Sequence, residues 1–268
     1  MSSRAVALQL DNVSKSYGAV RAVRDVSLEI MAGERRALIG PNGAGKTTLF
    51  HLISGVVPVT AGRIAFFGRD VTALSTHRRT ALGMARTFQI TNLFLELTVV
   101  ENVVLALQAL EATKFSMLRP LRVYGPLLRH AEALLDEWEL TEREDALVRE
   151  LSYGEQRTLE ILLGVAQKPR LLLLDEPTAG LSPAETATAA ALIDKLPRDS
   201  SILLIEHDMD IALQLCDSLT VFHLGDAMLS GAKEEVRRDP RAQRIYLGED
   251  IDAAEGELHS PIPARGEA

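Results

Sequence analysis

The glycine-rich loop at residues 40–48 constrains the fold of this chain more than any other part of the sequence. It reads G-P-N-G-A-G-K-T-T, follows the short strand pattern of residues 36–39 and precedes a segment of helical pattern. This is the pattern G-x-x-x-x-G-K-[ST] in the strand–loop–helix context that it requires. Glycines let the backbone wrap closely around phosphate groups with its N–H groups turned inward, and the N-terminus of the following helix adds positive potential. The loop therefore predicts a nucleotide-binding unit in an α/β fold.

Two side chains of this loop are expected to act on the nucleotide directly. Lys46 would place a positive charge beside the β- and γ-phosphates, and the hydroxyl of Thr47 would be a ligand of Mg²⁺. The alternative, a glycine-rich turn with a solvent-exposed lysine, fits the flanking strand and helix poorly. The loop residues predicted to bind ATP are Gly40, Pro41, Asn42, Gly43, Ala44, Gly45, Lys46, Thr47 and Thr48.

An acidic pair, Asp175 and Glu176, ends the run of four leucines at residues 171–174. A continuous apolar run is typical of a strand buried on both faces of a parallel sheet, and ligands bind at the carboxyl ends of such strands. Asp175 is therefore predicted to hold Mg²⁺, and Glu176 to orient or deprotonate the water that attacks the γ-phosphate. Without the loop at residues 40–48, a helix cap or a turn would be the better interpretation.

Strand and helix patterns alternate along the chain, which predicts a largely parallel sheet. Apolar residues at helical spacing dominate from residue 93 to residue 166 and indicate a mainly helical subdomain inserted in the α/β core. The predicted strands cover residues 6–13, 23–30, 36–39, 171–174 and 202–205, with an edge strand within 60–68, and the fold is expected to include an antiparallel β edge. The predicted helices cover 47–54, 183–196 and 209–215. The predicted parts are residues 1–92 and 167–249 for the nucleotide-binding core, 93–166 for the helical subdomain, and 250–268 for a polar tail that is expected to be disordered.

Composition narrows the class of protein. The chain has 268 residues, a formal net charge of -8 and a single cysteine, Cys216. The acidic balance argues against nucleic acid as the main partner, because phosphate binding usually leaves a basic surface. One cysteine cannot form an internal disulfide, so a reducing compartment fits, and Cys216 is expected to be a buried apolar side chain rather than a reactive thiol. We find no signal-peptide layout and no apolar run near the about 20 residues of a membrane helix, so a membrane role would need a partner.

Residues 151–157, L-S-Y-G-E-Q-R, resemble the signature sequence of ABC ATPases, which is usually L-S-G-G-Q. They lie a short way upstream of the acidic strand, as in that family. Ser152 can cap a helix whose N-terminus faces a phosphate, and Gly154 allows close approach. The resemblance implies the ABC ATPase fold, ATP hydrolysis, and contacts of the signature with the ATP of a partner subunit. The implied contact residues are Ser152, Tyr153, Gly154 and Glu155, of which Tyr153 and Glu155 depart from the usual sequence.

Other positions match further parts of the same family. Tyr17 resembles the aromatic residue that stacks on adenine, with a core tyrosine as the alternative. Gln89 resembles the glutamine that links the Mg²⁺ site to the helical subdomain, with an exposed loop residue as the alternative. His207 resembles the switch histidine that contacts the γ-phosphate, with a surface histidine as the alternative. Ser182 lies in the dimer-contact loop, where many family members have Asp.

A narrower resemblance extends to the ATP-binding subunits of branched-chain amino-acid-type importers. It depends on residues 83–89, G-M-A-R-T-F-Q, on the L-S-Y-G-E-Q-R string, and on residues 246–249, Y-L-G-E. Related importers for urea, amides and aromatic acids share much of this pattern. The resemblance implies ATP and Mg²⁺ as cofactors and a position on the cytoplasmic face of the membrane. The implied partners are a second ATPase subunit (identical or a paralogue), membrane permease subunits and, indirectly, a solute-binding protein, but not nucleic acid.

Three alternatives to import stay open. They are a soluble ABC ATPase of DNA repair or translation, an ABC exporter ATPase, and a P-loop kinase that phosphorylates a metabolite. The first usually has two cassettes in one chain or a long coiled-coil insertion, and the last would have no use for the signature. The basic side chains of Arg78, Arg79 and Arg86 could contact nucleotide, permease or nothing, and a solvated position is expected for Arg78 and Arg79.

Overall fold

The larger of two β-sheets has a mainly parallel arrangement in this computed structural model, which describes residues 5–87, 93–108 and 125–247. Its strands, in spatial order, are β10 (Asp226–Ala232), β9 (Ser218–His223), β3 (Arg35–Ile39), β8 (Ser201–Ile205), β7 (Leu171–Asp175) and β6 (Met84–Arg86). Neighbouring strands are parallel except β9 and β10, which form an antiparallel pair. The prediction of a mainly parallel sheet is confirmed.

The antiparallel strands near the N-terminus form a second sheet of their own. In spatial order its strands are β2 (Val20–Met31), β1 (Val6–Tyr17), β4 (Ala61–Phe66) and β5 (Arg69–Asp70). β1 and β2 are longer than predicted because their pairing continues to Tyr17 opposite Val20, across a two-residue loop. Gly18 in that loop has a φ of +58°, a left-handed conformation that suits glycine in tight hairpins.

Helices cover the larger sheet and fill most of the described chain between β6 and β7. Their bounds are α1 (Lys46–Ser54), α2 (Thr76–Ala81), α3 (Val99–Gln108), α4 (Gly125–Glu137), α5 (Tyr153–Ala166), α6 (Pro183–Asp194), α7 (Met209–Leu215), α8 (Lys233–Arg238) and α9 (Pro240–Leu247). α3 packs against both α4 and α5. The helical spacing predicted between residues 93 and 166 is confirmed for residues 93–108 and 125–166, whereas the division of the chain into separate parts stays a prediction.

β7 shows how the apolar core is divided by the larger sheet. Leu171 and Leu173 belong to the cluster that also contains α1 and the smaller sheet, whereas Leu172 and Leu174 belong to the cluster under α5 and α6. All four side chains are buried, as predicted. Each fully buried leucine contributes about 1.5–3 kcal/mol to folding. The acidic pair that follows is therefore attached to one of the most firmly anchored strands of the molecule.

Arg79 corrects one prediction made from the sequence. Arg78 is exposed, as expected, but Arg79 is buried and only 2% exposed. Its guanidinium donates to the carbonyls of Leu52 and Ile53 at 2.7 and 2.5 Å, and to Leu74 at 3.0 Å. The last carbonyls of a helix have no partner within the helix, so a buried arginine that satisfies them at the end of α1 has a structural role. Its position in the solvent was wrongly predicted.

Within the described ranges, no helix combines the length and apolar character that crossing a membrane requires.

Candidate ATP-binding and hydrolysis site

The glycine-rich loop runs from the end of β3 to the first residue of α1, as the sequence predicted. Gly40 and Gly45 have φ values of +146° and +105°. A Cβ atom would lie 2.0 Å from the carbonyl oxygen of Phe222 at the first position and 2.3 Å from that of Ala22 at the second. Glycine is therefore required twice, for its left-handed backbone and for the close approach of neighbouring main chain.

Lys46 lies over this loop and is only 5% exposed. Its Nζ donates to the carbonyl oxygens of Gly40 and Pro41 at 2.7 and 2.8 Å. Burial lowers the pKa of the Lys46 ammonium, while the nearby carboxylates of Glu176 and Asp175 act in the opposite direction. The loop and the acidic pair are thus brought together, as predicted, with the lysine charge between the loop backbone and the two carboxylates.

Asp175 is fully buried at the end of β7. Its Oδ2 accepts a hydrogen bond of 2.8 Å from Nη2 of Arg86, which is 5% exposed in its side chain and also donates to Ser54 Oγ at 3.2 Å. The sequence left the contact of Arg86 open, and the structure places it on this carboxylate. Asp175 Oδ1 is buried and has no hydrogen-bond partner among the described residues. A buried carboxylate oxygen without a partner fits a ligand of a hard cation such as Mg²⁺.

Glu176 and His207 form a direct contact next to Asp175. Glu176 Oε1 lies 2.5 Å from His207 Nε2. The side chain of Glu176 is 17% exposed and that of His207 is 41% exposed, so both can reach a bound ligand. The two predicted catalytic side chains are therefore brought together, and a histidine ring on one carboxylate oxygen holds the carboxylate in a fixed orientation.

Glu206 lies beneath His207 and was not predicted from the sequence. It is 3% exposed and accepts hydrogen bonds from Thr178 Oγ1 at 2.7 Å and from the His207 backbone N–H at 3.2 Å. Burial raises the pKa of Glu206, against these hydrogen bonds, which lower it. The sequence signal for Glu206 was its place directly before His207, at the end of the apolar run of residues 202–205.

Ser152 of the signature is the N-cap of α5, as predicted. Ser152 Oγ accepts from the Glu155 N–H at 3.2 Å, and Glu155 Oε2 accepts from the Ser152 N–H at 2.7 Å. This reciprocal pair is a capping box and accounts for glutamate at residue 155. Gly154 packs closely against the Glu185 side chain, because a Cβ there would lie 2.2 Å from Glu185 Oε1.

Tyr153, the other departure from the usual signature, contacts its own chain. It is 53% exposed, and its hydroxyl donates to the Ala179 carbonyl oxygen at 3.2 Å. Its ring also lies beside Gly180 in the predicted dimer-contact loop. Ser182 in the same loop is the N-cap of α6 and forms a capping box with Glu185. Serine there is therefore explained by its local role at the start of a helix.

Tyr17 lies at the end of β1 and is 49% exposed, so the alternative of a core tyrosine is wrong. Lys15 Nζ lies 5.0 Å from the centre of its ring. An exposed ring at this place is available for stacking on a base. Gln89, predicted for catalysis and for Mg²⁺, lies outside the described residues.

A phosphate loop, an acidic pair after a buried strand and a capped signature helix together define a P-loop ATPase of the ATP-binding-cassette class. The chain belongs to the ABC transporter family, because the family model described as "ABC transporter" matches residues 23–179. It is an ATP-binding and ATP-hydrolysing member of that family. Curated relatives support the assignment over nearly the whole chain.

Three relatives illustrate the range of the similarity. The high-affinity branched-chain amino acid transport ATP-binding protein LivG of Salmonella typhimurium is 38% identical, over 90% of this chain and 98% of the relative. The protein of the same description from Pseudomonas aeruginosa, BraF, is 36% identical with the same coverage. The lipopolysaccharide export system ATP-binding protein LptB of Acidithiobacillus ferridurans is 35% identical, over 91% of this chain and 98% of the relative.

Solved structures agree with the fold. The ADP conformation of an ATP-binding cassette of an ABC transporter superposes with a TM-score of 0.78 at 28% identity, over 91% of this chain and 99% of that chain. A nucleotide-free ATP-binding cassette gives a TM-score of 0.77 at 29% identity, over 91% and 100% of the two chains. The predicted fold class, an α/β P-loop core with a mainly parallel sheet, an antiparallel β edge and an inserted helical region, is confirmed.

Proposed function

We propose that this chain is the ATP-hydrolysing subunit of an importer for branched-chain amino acids or a related amino acid, amide or organic acid. The observation that carries the proposal is the contact of Glu176 with His207 beside the loop lysine, in a chain similar to LivG and BraF over 90% of its length. The chain would act on the cytoplasmic face of the membrane, bound to permease subunits. A solute-binding protein would deliver the solute to these subunits.

The loop would hold ATP through its inward backbone N–H groups and the Lys46 ammonium. Tyr17 would stack on the adenine. The Thr47 hydroxyl and Asp175 would hold Mg²⁺, together with Gln89, and the partnerless Oδ1 of Asp175 supports this. A bound Mg²⁺ ion supplies charge neutralisation at the β- and γ-phosphates. Lys46 would exchange its hydrogen bonds with Gly40 and Pro41 for phosphate oxygens.

Glu176 would accept a proton from the attacking water through its carboxylate. His207 would keep that carboxylate oriented through the contact at Oε1, and would contact the γ-phosphate with the same ring. Base catalysis by a positioned carboxylate contributes typically about 10²–10⁴-fold in rate. The products are ADP and inorganic phosphate, and the proton taken up by Glu176 leaves to solvent.

A second ATPase subunit, identical or a paralogue, would complete the site. One chain supplies one loop and one signature, so the signature of the partner would cover the γ-phosphate with Ser152, Gly154 and the start of its own α5. The capped N-terminus of that helix is suited to an anion because its first N–H groups carry partial positive charge. ATP would then bridge two chains. Hydrolysis would remove this bridge, the two ATPase subunits would relax, and the conformational change would pass to the permease.

An exporter ATPase is the second candidate, because the chain is also similar to the export protein LptB.

Uptake of radiolabelled leucine in cells that depend on this chain distinguishes an importer from an exporter. We expect uptake with the native chain and none with Glu176→Gln at equal protein level, with uptake of a sugar as the control. Leucine, urea and an aromatic acid would be compared. Undiminished uptake of all of them without a working chain would contradict import.

A further inference from the structure

We propose that Arg157, on the signature helix α5, is a positioning residue for Glu176. It fixes the backbone of this chain's own catalytic glutamate and thereby connects that glutamate to the helix that contacts the partner's ATP. The inference rests on the proposed role of Glu176 and goes beyond it, since it names a residue that acts on Glu176 through the backbone.

Arg157 donates to three successive backbone carbonyls of the catalytic segment. Its Nη2 lies 2.8 Å from the Asp175 carbonyl oxygen and 2.7 Å from that of Glu176, and its Nε lies 3.0 Å from that of Pro177. Arg157 is 5% exposed, so these hydrogen bonds are shielded from water. Hydrogen bonds from a charged donor are the stronger ones in proteins, and the guanidinium presents several N–H donors in a rigid planar fork.

The backbone of Glu176 needs such support. Glu176 has a φ of +48°, in the left-handed region that a non-glycine residue adopts only at a cost in free energy. Its N–H donates to the Ile205 carbonyl oxygen at 3.0 Å, which holds one side of the residue. Arg157 holds the other side through the Glu176 carbonyl. With both ends fixed, the side chain is directed at His207.

The guanidinium is itself held in place from the signature helix. Its Nη1 forms an ion pair of 2.8 Å with Oε2 of Glu160, one turn further along α5, and both side chains are almost fully buried. Arg157 lies just over one turn from the signature residues that would contact the partner's ATP. A displacement of α5 on engaging that ATP would therefore move the carbonyls of residues 175–177 directly.

A second hydrogen bond connects α5 to the segment that follows Glu176. The Tyr153 hydroxyl donates to the Ala179 carbonyl oxygen, three residues after Glu176. The signature helix thus holds the segment from residue 175 to residue 179 at two points, one buried and one exposed. This arrangement makes hydrolysis in one site respond to the contact that the same chain makes with the other site.

The test uses the full chain with Arg157→Gln and Arg157→Lys. Phosphate release under saturating Mg²⁺-ATP gives kcat, and a fluorescent ATP analogue gives the Kd of the single chain. We expect kcat to fall by about a hundredfold for Arg157→Gln, the cost typical of a misplacement of about 1 Å, with less loss for Arg157→Lys. The Kd should stay within about twofold, because Arg157 is proposed to act through the backbone carbonyls of residues 175–177 and not through a phosphate contact.

Two comparisons separate positioning from packing. In the Glu176→Gln background, Arg157→Gln should not lower the residual rate further, because residues that act as a unit are not additive. Arg35→Gln is the matched control, since Arg35 is likewise a buried arginine and donates to the carbonyls of Asp194 and Leu196. It should lower Tm but keep kcat per folded molecule. Should Arg157→Gln fail to fold, Arg157→Lys and Glu160→Gln provide the same readouts.

The inference is overturned if kcat of the folded Arg157 variants stays within about twofold of the native value, or if their effect multiplies with that of Glu176→Gln. An equal loss of kcat in Arg35→Gln would show a general effect of packing and would also overturn it. Undiminished turnover of Glu176→Gln would instead overturn the role of Glu176 itself, and this inference with it. If kcat falls in Glu176→Gln but not in the Arg157 variants, this inference fails and the proposed function stands.

Discussion

Glu176 Oε1 and His207 Nε2 lie 2.5 Å apart because the strands that precede them are paired in parallel. β7 and β8 are neighbours, with Asp175 opposite Ile205. Residues that follow the carboxyl ends of parallel neighbours meet at the same edge of the sheet. A glutamate one residue after β7 and a histidine two residues after β8 are therefore brought into contact by the sheet register.

Glu176→Gln should keep ATP binding and lose turnover. The amide cannot accept the proton of the attacking water, so kcat should fall by about 10²–10⁴-fold. Phosphate release measures the rate, and calorimetry measures the affinity for ATP. Glu29→Gln, at an exposed glutamate of β2, is the control and should leave both unchanged. Phosphate release at the native rate in Glu176→Gln would rule out the glutamate as the base.

Lys46→Ala should weaken ATP binding. The variant removes a cation whose Nζ lies over the loop, and a hydrogen bond to a charged group contributes about 1.5–3 kcal/mol. The Kd should therefore rise by about ten- to a hundredfold. Calorimetry with Lys195→Ala, at an exposed lysine on the far end of α6, provides the comparison. An affinity equal to that of the native chain would argue against a phosphate contact of Lys46.

Arg86→Met should destabilise the nucleotide-free protein strongly. The substitution leaves the fully buried Asp175 without its ion-pair partner at 2.8 Å, and breaking a buried pair in this way costs about 3–5 kcal/mol. Denaturant unfolding measures the free energy of unfolding. Arg63→Met, which removes an exposed pair with Asp70 of the same 2.8 Å length, should cost less than about 1 kcal/mol. Equal losses in the two variants would contradict the account of Asp175.

Cys216 should be unreactive in the native protein. It is 1% exposed, and burial raises the pKa of its thiol from 9.0 to about 12. The folded pKa is the higher one, so the folded chain holds this proton more tightly. Its contribution to stability is complete below pH 9.0 and is lost as the pH rises towards about 12. A thiol reagent at pH 8 should therefore label Cys216 only after denaturation, and labelling of the folded chain at the rate of a free thiol would contradict its burial.

The phosphate loop and the acidic pair could be predicted because their chemistry lies in short, contiguous strings. Gly40 to Thr48 and the four leucines before Asp175 each place a motif at the end of a strand by local pattern alone. The capping box of Ser152 and Glu155 is local too, and Ser152 was predicted as a cap. In each case the physical cause acts within a few residues.

Contacts between distant segments could not be predicted in the same way. Arg157 lies 19 residues before the glutamate whose carbonyl it binds, and Arg86 lies 89 residues before Asp175. Arg79 looked like a solvated side chain because the end of α1, which it satisfies, comes 26 residues earlier in the chain. A buried arginine is defined by the carbonyls and carboxylates around it, and only the packed fold brings those together.

Isolation of this chain from its native membranes in mild detergent, followed by mass spectrometry, tests the central claim most directly. We expect permease subunits with several membrane spans and a second ATPase subunit to be recovered with it, and a solute-binding protein to follow when the solute is present. Suppose that only soluble proteins or nucleic acid are recovered, from preparations in which other membrane complexes survive intact. The assignment as an ATPase would then stand, but a role in transport would be contradicted.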